Sequence, residues 1–393
     1  MVFQCKTEFQ WCFTGNKECQ QKGLFIQVLL SNIIMENEHI LYVPEIDISI
    51  DDGSGINERN FVRALLEKKI NVLIPKPQNR EAIDDLFSYS NLKTTYHLNR
   101  RNLIAYLYFV FKKSYDIYKI SKYEKINVVA FRMGLIPLDI YLTKKILKKK
   151  VYLKHLTFMS SSQTNNIFLN IAGKIRLKFT NKKYIDGCDT PSYMTEQIIK
   201  KNYGVSNIFI ARNGTSKVAP LSENIKRDKD YIYIGRLSKG RNTDKLLEAF
   251  AMSKKSIDIY GFGEMETIVS DFTKKHSNIN FYGKVPYSEL TKILHQYKYG
   301  IDLTYVETEF GKASYSQKIA QYLSYGLNVL AVDCFDNEYI KENSCGILYN
   351  EDCDSLIEII NSYEYKKNDL VKIEDSIYSD KIVNELVEFW KQK

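Results

Sequence analysis

The chain has 393 residues, more than one hydrophobic core usually supports, so two domains of ordinary size are expected. Its apolar content of 44% is that of a soluble globular protein, and the longest apolar stretches, Gly23 to Met35 and Leu103 to Phe111, are too short or too interrupted to span a bilayer. The net charge of +9 is uneven: residues 1–215 carry a net +13, residues 216–393 a net −4, and residues 100–183 alone a net +16.

A basic block of that density is a footprint for something anionic, whether lipid headgroups, nucleic acid or a phosphorylated substrate. The plain alternative is a Lys-rich solvated face. Seven scattered cysteines, an odd number, fit reduced thiols better than a disulfide framework. The first residues, with Lys6, Glu8, Lys17 and Glu18, lack the basic-then-apolar order of a signal peptide, so a cytoplasmic location is expected.

Residues 1–38 are not placed in any element. Cys5, Cys12 and Cys19 fall seven apart there, as on one helix face, but without a histidine they do not read as a zinc site. From Ile40 the chain alternates apolar strands with amphipathic helices, the pattern of α/β architecture with parallel sheets. Ile40 to Ile48 reads as a strand, Asp51 to Gly55 as a loop, and Asn57 to Lys68 as a helix. Strands follow at Asn71 to Ile74, Val128 to Phe131, Val151 to Leu153 and Ile208 to Ala211, with helices over Asn102 to Tyr118 and Pro137 to Lys149. The polar stretch Ser222 to Asp230 suits a linker. The alternation then restarts, with strands at Tyr231 to Ile234, Ile257 to Tyr260, Asn280 to Tyr282, Gly300 to Leu303 and Asn328 to Val332. Helices are expected over Thr243 to Met252 and Glu264 to Lys274, and a closing helix over Ser376 to Trp390. Two successive Rossmann-like units result, the first ending near residue 215, the second covering 216–375, and the closing segment 376–393 packing back on the first.

The second half places cations and glycines after its strands, where open α/β sheets bind ligands. Gly235-Arg236-Leu237-Ser238 follows one strand, with Arg241 five residues beyond Arg236. Gly261 and Gly263 end the next strand, and Asn280 to Pro286 forms a strand and turn that includes Gly283 and Val285. The segment Ser316 to Ala331 puts Lys318 in the first turn of a helix, where its ammonium and the local amides can hold a phosphate together. In this order and spacing the segments resemble glycosyltransferase family 4, a group of retaining GT-B enzymes, over about residues 39–375 and most densely after 205.

The resemblance implies a GT-B fold: two Rossmann-like domains facing each other across a cleft. It implies that Arg236, Arg241 and Lys318 contact the donor diphosphate, with Gly261, Gly263, Gly283, Val285 and Ser316 around the nucleotide. Gln321 stands where the family has a Glu that accepts from the ribose hydroxyls, and Asn242 and Asn328 replace a usual Gly and Pro. Glu307 and Glu309, in Glu307-Thr308-Glu309-Phe310-Gly311, resemble the turn that touches the transferred sugar, and either can be the matching residue. His155, after the strand Val151 to Leu153, matches a histidine beside the sugar. Gly53, Gly55 and Arg132 fall on the acceptor side, although Asp51 and Asp52 would repel a diphosphate and leave a turn-forming role equally open for the glycines. Asn213-Gly214-Thr215 matches a hinge motif with Ser216 in place of Asp, and reads as architectural.

The implied chemistry is metal-independent and needs no cofactor: a hexose moves from a nucleoside-diphosphate sugar to a glycan or lipid-linked acceptor with retention. Positioning and charge stabilisation carry the rate. The aromatics Tyr106, Tyr108, Phe109, Phe111, Tyr115 and Tyr118 among the lysines of the basic block are the mixture of an interfacial helix, or else simply core. Attachment to an anionic membrane surface is expected, and nucleic acid is not, since no motif for it accompanies the charge. Two other uses of the fold stay open: a non-catalytic subunit partnering an active transferase, and another GT-B enzyme such as a nucleotide-sugar epimerase.

Overall fold

The structure, a computed structural model, describes residues 39–392 apart from 51–52, 99–102, 133–136, 155–177, 217–225, 254, 304–315, 367–372 and 375–376. The first half is one parallel sheet. Its strands are β1 (Ile40–Pro44), β2 (Asn71–Pro75), β3 (Leu92–Tyr96), β4 (Val128–Arg132), β5 (Lys150–Lys154), β6 (Gly187–Thr190) and β7 (Ile208–Ile210). They lie in the order β3-β2-β1-β4-β5-β6-β7, so the chain reverses direction across the sheet between β1 and β4. The near-continuous apolar runs of β1, β2, β4 and β5 are what a strand covered on both faces requires.

Helices α1 (Gly53–Glu67), α2 (Leu103–Tyr123), α3 (Leu138–Tyr141) and α4 (Tyr193–Tyr203) belong to this half. Two expectations need correction. The segment read as a loop at Gly53 and Gly55 is the first turn of α1, so these glycines start a helix rather than line a turn. The helix expected over Pro137 to Lys149 is the short α3 followed by a π turn, Leu142–Ile146. Helix α4 starts where Ser192 Oγ accepts from the Thr195 amide and stops at Gly204 in the left-handed region.

The second half is a six-stranded parallel sheet of β8 (Lys229–Arg236), β9 (Ile257–Phe262), β10 (Ile279–Phe281), β11 (Tyr297–Ile301), β12 (Asn328–Val332) and β13 (Gly346–Tyr349). Its order is β10-β9-β8-β11-β12-β13, and the reversal falls between β8 and β11. The helices are α5 (Thr243–Met252), α6 (Glu266–Lys275), α7 (Tyr287–Ile293), α8 (Gln317–Ser324), α9 (Glu338–Glu342), α10 (Cys353–Ser362) and α11 (Ser379–Lys391). The stretch read as a linker is docked in part: Arg227 donates to the carbonyls of His295, Tyr297 and Tyr325, and β8 already starts at Lys229.

Each sheet has an apolar cluster on both faces. Helix α11, last in the chain, packs on the first sheet against α1, and its Val383, Leu386, Phe389 and Trp390 join the core around Tyr42 and Phe61. The Trp390 ring lies parallel to Tyr42 with centroids 6.0 Å apart. The segment Asn213-Gly214-Thr215 seats the start of α11: the Ser379 amide donates to Thr215 O, and a β-carbon on Gly214 would meet the Ser379 backbone at 2.9 Å. Contacts between the two halves include the Arg212 guanidinium over the Tyr339 ring, 4.5 Å from its centre. Asp336 Oδ1 accepts from the Tyr193 amide at 3.0 Å, while the Tyr193 ring meets Phe335 edge-on.

Candidate functional site

At the reversal of the second sheet, β8 ends in Gly235-Arg236 and β11 is followed by Asp302. Lys318, in the first turn of α8, reaches across to this point. Its Nζ lies 3.0 Å from Asp302 Oδ1 and 5.0 Å from the centre of the Tyr233 ring. Its side chain is largely buried, and a β-carbon added to Gly235 would stand 3.4 Å from Nζ. The ammonium is therefore fixed over the tip of β8 by a carboxylate, a ring face and the absence of a side chain at residue 235. Ser316 is the residue before α8; its hydroxyl makes no capping bond, and its carbonyl accepts from the Ile319 amide at 3.1 Å.

Arg236, at the end of β8, and Arg241, five residues on, are exposed and have no side-chain partner among the described residues. Arg241 sits in a 3-10 turn, Lys239–Arg241, that leads into α5. Gln321, one turn along α8 from Lys318, is buried, and its side-chain nitrogen has no hydrogen-bond partner among the described residues. An unsatisfied buried amide is costly unless something completes it.

The glycines next to this site have a reason other than the one the sequence suggests. A β-carbon on Gly261 would come within 2.1 Å of Gly235 O, and one on Gly263 within 2.2 Å of Leu237 O. Their missing side chains make room for the neighbouring strand's backbone, and so set where Arg236 and Leu237 lie. Gly283 is in the left-handed region with open space around it, and its carbonyl accepts from Gly261 N. Val285 is partly buried against the apolar cluster that includes Ile319 and Leu323.

The first sheet treats its reversal differently. Pro44 and Arg132 are register partners at the ends of β1 and β4. Arg132 Nη1 donates to Glu58 of α1, and Nη2 donates to Ser54 Oγ at 2.9 Å. Glu58 is fully buried and also takes Lys154 Nζ at 3.1 Å and the Tyr42 hydroxyl. Burial holds the Lys154 amine below the ordinary lysine range, with Glu58 pulling the other way, and the Phe61 ring lies 4.0 Å beneath it. A second buried set stands behind: Lys113 lies between Glu45 at 2.5 Å and Asp139 at 2.6 Å, and the Tyr106 hydroxyl donates to Glu45.

The structure thus groups Arg236, Lys318, Gly235 and Gly261 around one strand tip, with Gln321 and Ser316 on the same helix as Lys318. It places Arg132, Gly53 and Gly55 together at the first reversal, on the end of β4 and the start of α1. His155, Glu307 and Glu309 lie outside the described residues. Asp302, Tyr233, Glu58 and Lys154 were not singled out from sequence. Asp302 directly ends an apolar strand, as Arg236 does, and that position was the available signal.

No protein-family model and no curated protein sequence matches the chain. Solved structures do. The lipopolysaccharide outer core galactosyltransferase WaaB, in its apo form, superposes with a TM-score of 0.63 at 16% identity, over 90% of this chain and 99% of that one. HepE of Anabaena in complex with UDP gives 0.59 at 10% identity, over 89% and 94%. Sucrose-phosphate synthase from Thermosynechococcus elongatus gives 0.59 at 12%, over 89% and 94%. All three are GT-B glycosyltransferases, and the likeness establishes that this chain has the GT-B fold.

Proposed function

We propose that the chain is a nucleotide-sugar-dependent glycosyltransferase that retains the anomeric configuration, moving a hexose-type sugar to a glycan or lipid-linked acceptor in the synthesis of cell-surface polysaccharide or glycoconjugate. Residues 216–375 take the donor and residues 1–215 the acceptor. The observation that carries this reading is Lys318, held by Asp302 over the tip of β8 beside the exposed Arg236. When a glycosidic bond to a diphosphate breaks, negative charge builds on the leaving phosphate, and fixed cations and helix amides stabilise that charge without having to reorganise. Lys318 is fixed in this way, and Arg236 and Arg241 supply further positive charge within the same edge of the sheet. HepE, of the same fold, is known with UDP, with UDP and glucose, and with UDP-glucose, which supports a nucleotide sugar as the ligand class.

In this reading no metal ion takes part, because the three cations meet the diphosphate directly. Gln321 accepts from the ribose hydroxyls, with its buried amide nitrogen completed by the ligand. Main-chain groups of Gly283 and Val285 meet the base. His155 and one of Glu307 and Glu309 act at the sugar, and the acceptor hydroxyl attacks from the face the nucleotide leaves.

The test is release of nucleoside diphosphate from a panel of UDP-, GDP-, ADP- and dTDP-sugars by the full chain, in EDTA. Turnover of at least one donor is expected. Binding without turnover of any donor would replace the transferase by a non-catalytic GT-B subunit, and turnover restored only by a divalent metal would remove the metal-free mechanism. An epimerised free sugar as the product would move the chain to the epimerases.

A further inference from the structure

The basic block of the first half contains a helix whose outer face is apolar. Helix α2 packs on β3, α3 and the π turn, burying Tyr106, Phe109, Val110, Ile117 and Ile120. On the opposite side Ile104, Tyr108, Phe111, Tyr115 and Tyr118 are each between 44% and 82% exposed. Their spacing of four, three, four and three residues sets them in one line along the helix, about 21 Å long. Lys119 and Lys122 stand beside and at the end of that line, with Lys125 just beyond, all exposed and without side-chain partners among the described residues. In the adjacent π turn Ile146 is also exposed, followed by the exposed Lys148. A soluble surface seldom leaves a continuous apolar line of this length uncovered.

Two occupants suit a helical line, and composition and charge separate them. A helix–helix seam with a second copy favours leucine and β-branched side chains, whereas this line has one isoleucine, one phenylalanine and three tyrosines. In a parallel pair the lysines of the two copies would also be brought together. Tyrosine has an apolar ring and a polar tip, which places it at the headgroup level of a bilayer, and lysine stems extend to lipid phosphates from the same depth. We propose that α2 lies in the interface of an anionic bilayer, with Tyr108, Phe111 and Tyr115 at headgroup depth and Lys119 and Lys122 on the lipid phosphates. No helix among the described residues is long and apolar enough to cross a membrane, so this is contact along one face. The proposal is independent of the donor reading, since none of these residues lies at the second sheet.

The experiment is co-sedimentation of the full chain with vesicles of phosphatidylcholine alone and of phosphatidylcholine mixed with phosphatidylglycerol, at low and high salt. Sedimentation with the anionic vesicles, reversed by salt, is expected. Lys119→Glu with Lys122→Glu is expected to weaken it by about fivefold or more for each lysine. Tyr108→Ser, Phe111→Ser and Tyr115→Ser together are expected to abolish it; these side chains are exposed, and an unchanged circular dichroism spectrum shows that the fold survives. The proposal is overturned if the unmodified chain stays in the supernatant with anionic vesicles, binds both vesicle types equally, or binds undiminished after the triple substitution. Light scattering that shows a dimer, broken by the triple substitution, would overturn it in favour of a second copy.

Discussion

At the first reversal point Arg132 and Lys154 turn onto the buried Glu58, which also takes the Tyr42 hydroxyl. At the second, Arg236 and Arg241 are exposed, and Lys318 alone is held, by Asp302. The two sheets share one topology, yet in the first the cations are consumed by the protein and in the second they are left for something else. Buried charges that satisfy one another fix helix to sheet, and removing one partner leaves the others stranded at high cost. Cations that are exposed contribute little to stability, and their value appears only when an anion arrives. The first reversal point therefore holds α1 in place, and the second is where a phosphate fits.

That contrast can be broken by substitution. The largest effect is expected from Glu58→Ala, which strands Arg132 and Lys154 beneath α1: about 3–5 kcal/mol of stability should be lost. In thermal unfolding this is a fall in Tm of roughly 10 °C. An unchanged Tm would mean that the cluster does not hold the helix to the sheet.

The smallest effect concerns the Asp336–Tyr193 contact between the halves. Burial raises the Asp336 carboxyl above the ordinary aspartate value, while the Tyr193 amide pulls it down. The folded chain therefore keeps this proton to higher pH than the unfolded chain, so the contribution of Asp336 to stability falls as pH rises from the ordinary aspartate value through the raised one. Asp336→Asn, whose amide oxygen still accepts from Tyr193, should flatten the stability profile in that window just above the ordinary value. Identical profiles for the two proteins would show that Asp336 does not titrate with folding.

The sequence showed more of the fold than of the site. β1, β2, β4, β5 and β12 stood out because strands covered on both faces must be continuously apolar. β3 (Leu-Lys-Thr-Thr-Tyr) and β6 (Gly-Cys-Asp-Thr) were not legible, since threonine, aspartate and glycine dominate them and no apolar run marks them. The start of α1 was misread because glycine, serine and aspartate compose turns as readily as helix starts. At the second reversal the order of Arg236, the glycine pair and Lys318 was visible in the sequence, but the Lys318–Asp302 pair was not. The two residues are brought together only when α8 lies across β11, and no local pattern announces it. Glu58, between Asn57 and Arg59, reads as a solvated helix residue until β1, β4 and β5 close around it.

The central claim is that the second reversal point grips a nucleoside diphosphate. Isothermal titration of the full chain with UDP, GDP, ADP and dTDP, repeated on Lys318→Ala, tests it most directly. At least one nucleotide should bind the unmodified chain, and Lys318→Ala should weaken that binding by about tenfold to a hundredfold, the worth of a hydrogen bond to a charged group, with a fall in Tm because the buried Asp302 loses its ammonium. Equal affinity in the two proteins, or no binding of any nucleotide, would contradict it.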